Sequence, residues 1–128
     1  MSNDFEDRLI KLGLKDASAL VEAGKAYGDS WKKRGGAGAF MVLARKWDRI
    51  ENQCEQVGYD IFQGHSKFHG MDGLIDDIRD LRRYLLLVEE HLMATGQIPD
   101  ITVESFNQSL QEEIDEASTA TRSYVDQD

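Results

Sequence analysis

Apolar residues recur along this chain at intervals of three and four, which is the period of an α-helix with one face turned inward. The clearest run is Leu74, Ile78, Leu81, Leu85, Val88 and Leu92, and its 4-3-4-3-4 spacing predicts a helix buried along one seam, with Asp72 as a candidate cap. A second amphipathic helix is predicted from about residue 39 to 57, where Phe40, Leu43, Ala44, Trp47, Ile50 and Cys54 follow the same rhythm and Gly58 supplies a stop. Phe5, Leu9 and Leu12, then Ala17, Leu20, Val21 and Gly24, predict a helical first segment over about residues 3–27, kinked or divided at Gly13, with Asp16 capping its second piece. After a break at residues 96–100, Val103, Phe106, Leu110 and Ile114 predict a last helix over about 102–117, and the polar residues 118–128 read as a frayed tail.

Two stretches lack this period. The glycine-dense segment from Tyr27 to Gly38 reads as a loop, as does 59–71, which contains Gly64, Gly70 and two histidines and offers Tyr59, Ile61, Phe62 and Phe68 as covering residues. The expected architecture is all-α: a single domain over residues 1–117, built as a bundle of about four main helices with two acid-bearing central helices packed antiparallel.

Composition strengthens the helical reading and narrows the partners. The 128 residues include one proline, and β-branched runs are scarce. A formal charge of −9 opposes binding to a phosphate backbone, so no general nucleic-acid affinity is expected. The single cysteine, Cys54, excludes an internal disulfide. No apolar run approaches the ~20 residues that span a bilayer. With no charged-then-apolar leader pattern at the amino terminus, the expected compartment is the cytoplasm, including that of a virus-infected cell.

The candidate chemistry lies in acids placed at helix seams. At ~100° per residue, with Phe40 at zero, the apolar seam of the 39–57 helix covers roughly −80° to +40°, and Glu51 falls inside it at about +20° with Asp48 and Glu55 alongside. An acid facing a core costs several kcal/mol unless it is paired or holds a metal. Asp77, Asp80 and Tyr84 share one edge of the helix that begins near Asp72. Antiparallel packing would set these edges across a groove where carboxylates converge, a donor set suited to Mg²⁺ or Mn²⁺. Lys32, Lys33 and Arg34, next to Gly35, Gly36 and Gly38, are candidate phosphate ligands, and Trp31 is a candidate stacking surface for a base.

Asp48-x-x-Glu51 followed by Asp77-x-x-Asp80 and Tyr84 resembles the paired acidic motifs of the MazG-like all-α nucleotide pyrophosphohydrolases, over about residues 17–92. The segment Tyr27-Gly28-Asp29-Ser30-Trp31 is similar to the phage nucleotide-modification-associated type. The chain carries Asp48 and Asp77 where that family usually shows Glu. The resemblance implies Mg²⁺-dependent hydrolysis of a nucleoside triphosphate, or a related nucleotide, to monophosphate and pyrophosphate. It makes Glu51, Asp77 and Asp80 the principal catalytic ligands and Asp48 and Glu55 further metal ligands. Lys32, Lys33, Arg34, Trp31 and Tyr84 would bind substrate, and the protein would be a homo-oligomer, a dimer or higher.

Plainer readings stand beside this one. The acids can be solvated, or paired with Arg45, Arg49, Arg79, Arg82 and Arg83. His65 and His69 have helical zinc spacing without a third ligand. The same basic loop also serves a non-catalytic helical oligomer that sequesters a nucleotide, and an interaction protein needs no small ligand at all.

Overall fold

The computed structural model describes residues 3–70, 72–102, 104, 107–108 and 110–117, and these form an all-α protein. The expected frayed tail at 118–128, and the expected core residues Val103 and Phe106, lie outside the described residues. Contacts divide the chain into two compact units, Met1–Glu90 and His91–Asp128. Among the described residues, no helix is long and apolar enough to cross a membrane.

Helix α1, Asp4–Tyr27, opens with the Asn3 side chain accepting from the Glu6 amide at 3.1 Å and closes on Gly28, whose φ is 61° and whose N–H donates to the Gly24 carbonyl. It runs through Gly13 undivided, which corrects the expected break. One interior glycine costs about 1 kcal/mol, against a capped start and an anchored middle. Asp16 is not a cap; it is a buried mid-helix residue.

A 3-10 turn at Ser30–Lys32 leads into α2, Gly35–Glu55. The expected 27–38 loop is therefore shorter than its glycines implied, because Gly36 and Gly38 lie in the first turns of α2. After a turn at Gly58 and Tyr59, the second expected loop contains a helix, α3, Ile61–Lys67. Asp60 starts it by accepting from the Phe62 and Gln63 amides. Gly64 is a contact residue in α3 rather than a breaker: a Cβ there would stand 2.9 Å from the Leu74 side chain and 3.6 Å from Cys54 Sγ.

Helix α4, Leu74–Ala94, begins after a tight turn in which the amide of Asp72, two residues before the helix, donates to the Asp76 carboxylate. The core of the first unit is Ile50 and Cys54 from α2 with Leu74 from α4, flanked by Phe68, Ile78 and Leu81. Successive contacts run up α2 and down α4, from Lys46 with Asp80, through Arg49 and Gln53 with Asp77, to Cys54 beside Leu74, so the two helices are antiparallel as expected. In the second unit, α4 ends in a turn at Gly96, whose φ is 76°, and residues 110–117 are helical.

Candidate functional site

The buried face of α2 is rotated from the one its apolar residues predict. Ala39, Ile50 and Cys54 are buried, with Leu43, Lys46 and Gln53 partly covered between them, whereas Phe40 and Trp47 are exposed. The inward stripe is thus 39-43-46-50-53/54, and two of its positions are polar. Measured from Arg49 at ~100° per residue, Glu51 falls about 200° away. It is exposed, as are Asp48 and Glu55, so the inward position expected for Glu51 is corrected.

The side chains from α2 that meet the α4 acids are a guanidinium, an amide and an ammonium. Asp77 is 2% exposed; its Oδ1 lies 2.8 Å from Arg49 Nε, and its Oδ2 accepts from Gln53 Nε2 at 2.8 Å. Asp80 Oδ2 accepts from Lys46 Nζ at 2.9 Å. Among the described residues, no group of three or more His, Cys, Asp or Glu is arranged to hold a metal ion. His65 lies in α3, and His69 follows its end.

A third acid is tied down between α1 and α4. Asp16, 1% exposed, accepts from Arg82 Nε and Nη2 and, at 2.8 Å, from Arg83 Nε. The Arg82 bonds hold its carboxyl well below the usual carboxylate range, at about 2, with burial opposing and Arg83 assisting; Arg82 is pushed up in turn. Sequence reasoning missed this cluster. The signal was available, because Asp16 falls four residues after Leu12 and four before Leu20 on the Phe5-Leu9-Leu12 stripe, an acid in an apolar row.

Beside this cluster, α1, the turn after it and α4 enclose a cavity of about 450 Å³. Leu20, Ala23 and Gly24 form one wall, Asp80, Arg83, Tyr84 and Leu87 another, and Asp29, Ser30 and Trp31 close one side. The wall from α4 is a single helical face, since these residues are spaced i, i+3, i+4 and i+7. Three residues singled out in the sequence, Trp31, Asp80 and Tyr84, are therefore brought together. Lys32 Nζ lies 5.8 Å from the Trp31 ring centroid and 3.8 Å from Asp29. Lys33 and Arg34 are exposed just before α2. Arg83 lines the cavity while its Nε serves Asp16, and a guanidinium carries four further N–H donors.

No family model, curated protein or solved structure matches the chain.

Proposed function

We propose that this protein binds a nucleotide, or a closely related phosphorylated small molecule, in the cavity between α1 and α4. The observation that carries the reading is the grouping of an indole, a phenol and a guanidinium, from Trp31, Tyr84 and Arg83, on one cavity of about 450 Å³. That volume falls in the range of small-molecule sites. Aromatic faces suit a base. A planar guanidinium suits a phosphate.

A hydrolytic form of this reading is supported by Asp80, whose half-exposed carboxylate lines the same cavity one turn before Tyr84. The resemblance to nucleotide pyrophosphohydrolases supplies the reaction, release of pyrophosphate from a triphosphate, and the cofactor, Mg²⁺ or Mn²⁺, which when bound neutralises phosphate charge and activates water. Asp29 and Asp80, the latter paired with Lys46, are the cavity-lining carboxylates that would hold such an ion. Asp77 is engaged by Arg49 and Gln53, and Asp48, Glu51 and Glu55 are exposed on α2, so this chain's own contribution is to bind and orient the nucleotide.

Calorimetric titration with ribo- and deoxyribonucleotides, with and without Mg²⁺, tests both forms. Binding is expected for at least one nucleotide, with Trp31→Ala weakening it about tenfold or more. Random duplex DNA is not expected to compete, given the −9 charge. If no nucleotide in the panel binds at millimolar concentration, the proposal fails. Metal-dependent pyrophosphate release selects hydrolysis, and binding without product selects sequestration.

A further inference from the structure

Two arginines meet one buried carboxylate at the junction of α1 and α4, and one of them is more than the junction needs. Arg82 grips Asp16 side-on, with Nε on one carboxylate oxygen and Nη2 on the other. That pair alone ties the helices and neutralises the acid. Arg83 comes to the same carboxylate through Nε only, at 2.8 Å, and the cluster is left with one positive charge in excess. Among the described residues, no partner meets the Nη1 and Nη2 groups of Arg83.

Arg83 is also the one cation among the described residues that line the cavity, where Asp29 and Asp80 carry the negative charge. Its side chain is 22% exposed. An arginine loose in a cavity has to be ordered when a ligand arrives, and that ordering weakens binding. A guanidinium already held at Nε has lost that freedom beforehand. The edge it keeps, between Nη1 and Nη2, is one that meets an oxyanion with two parallel hydrogen bonds.

We propose that Asp16 is a positioning residue for ligand recognition: it holds Arg83 by Nε so that the Nη1–Nη2 edge takes one phosphate of the ligand. The proposal rests on the reading of the cavity as a nucleotide site, and it adds how many phosphates this wall engages without a metal. One guanidinium edge meets one phosphate, and further phosphates find the Asp29 and Asp80 carboxylates instead. The chain therefore distinguishes a monophosphate from a nucleoside, and gains nothing more from a triphosphate until a cation is added.

Metal-free calorimetric titration of the full chain with nucleosides, their monophosphates and their triphosphates tests this, the readout being the preference for monophosphate over nucleoside. A general loss of structure weakens both ligands together and leaves the preference alone. The parent is expected to prefer the monophosphate about tenfold or more, and Arg83→Gln to lose that preference. Asp16→Ala is expected to cut it about fivefold in the parent and not at all in the Arg83→Gln background, because the acid acts through Arg83. Arg83→Lys keeps the charge and leaves Asp16 with Arg82; it should also cut the preference, and it decides the matter should Asp16→Ala not fold. A preference unchanged by Asp16→Ala or Arg83→Lys overturns the proposal, as does one raised by Asp16→Ala, the sign of a mere charge effect. So does a metal-free triphosphate bound much more tightly than the monophosphate. In each of those cases nucleotide binding itself persists; if neither nucleosides nor nucleotides bind, the reading of the cavity falls and this inference with it.

Discussion

Asp16 is the acid on which the first unit depends most visibly, and its pH response follows from its partners. Its carboxyl titrates at about 2 in the folded chain, because Arg82 and Arg83 favour the charged form, and at the ordinary value near 3.8 when unfolded. A depressed carboxyl stabilises the fold above the unfolded value and loses that contribution as pH falls through the folded one. The fold is therefore expected to keep about 2 kcal/mol from this cluster above pH ~4 and to shed it between pH ~4 and ~2. Urea unfolding of the parent and Asp16→Asn at several pH values checks this. The gap between them should narrow on acidification, and a gap that stays constant across that window would show that the arginines contribute little.

Asp77 and Glu51 teach a related lesson. In the groove read from the sequence they are facing acids whose repulsion a metal relieves, and neutralising either one should stabilise the metal-free chain. In the structure Asp77 is enclosed by Arg49 and Gln53, while Glu51 is exposed. Asp77→Asn is expected to cost about 1–3 kcal/mol, since it removes the charge that Arg49 faces, whereas Glu51→Gln should stay within ~0.5 kcal/mol of the parent. Thermal melts without added metal separate the two expectations, and an Asp77→Asn chain that melts above the parent would restore the facing-acid arrangement. Helical spacing put Asp77 and Asp80 on one edge of α4, but it set Glu51 inward where the structure exposes it. Arg49 was among the candidate partners; Lys46 and Gln53 were not, because they are polar residues at seam positions, which a hydrophobic count passes over.

Among the elements, α4 was the most legible, since Leu74, Ile78 and Leu81 at its start are both apolar and inward. The register of α2 was lost because Phe40 and Trp47, the largest apolar groups on that helix, face outward. Helix α3 was lost because seven residues around Gly64 give no period to count, and its cap, Asp60, precedes no apolar run of helical length. The junction between α3 and α4 shows what glycine does there. A Cβ on Gly73 would stand 2.3 Å from the Phe68 carbonyl oxygen and 2.7 Å from that of Gly70, and those same carbonyls accept from the Leu74 and Gly73 amides. Gly73→Ala is accordingly expected to destabilise by about 2 kcal/mol, as backbone must move to admit the methyl group. Gly13→Ala, in the open middle of α1, should instead stabilise by about 1 kcal/mol. Denaturant midpoints of the two variants should move in opposite directions; a shift of Gly73→Ala toward higher stability would rule out this account of the turn.

For the molecule as a whole, the all-α class was legible from period and composition together. The small size of the core was not: among the described residues of the first unit the buried apolar side chains are Ala39, Ile50, Cys54 and Leu74, the last three packed with three partly buried neighbours, and the helices are joined as much by charged pairs as by apolar contact. These joints differ in how much chain each must close. Lys46 and Asp80 are separated by 34 residues and Gln53 and Asp77 by 24, whereas Asp16 reaches Arg82 and Arg83 across 66 and 67. Closing the longer loop costs more entropy before any contact repays it. These separations predict an order of assembly in which α2, α3 and α4 come together first and α1 settles onto them after the rate-limiting step. Its arginine clasp then works as a latch on the way out of the native state rather than as a guide on the way in. In stopped-flow measurements, Asp16→Asn should quicken unfolding while leaving the refolding rate nearly unchanged, and a comparable slowing of refolding would move α1 into the nucleus.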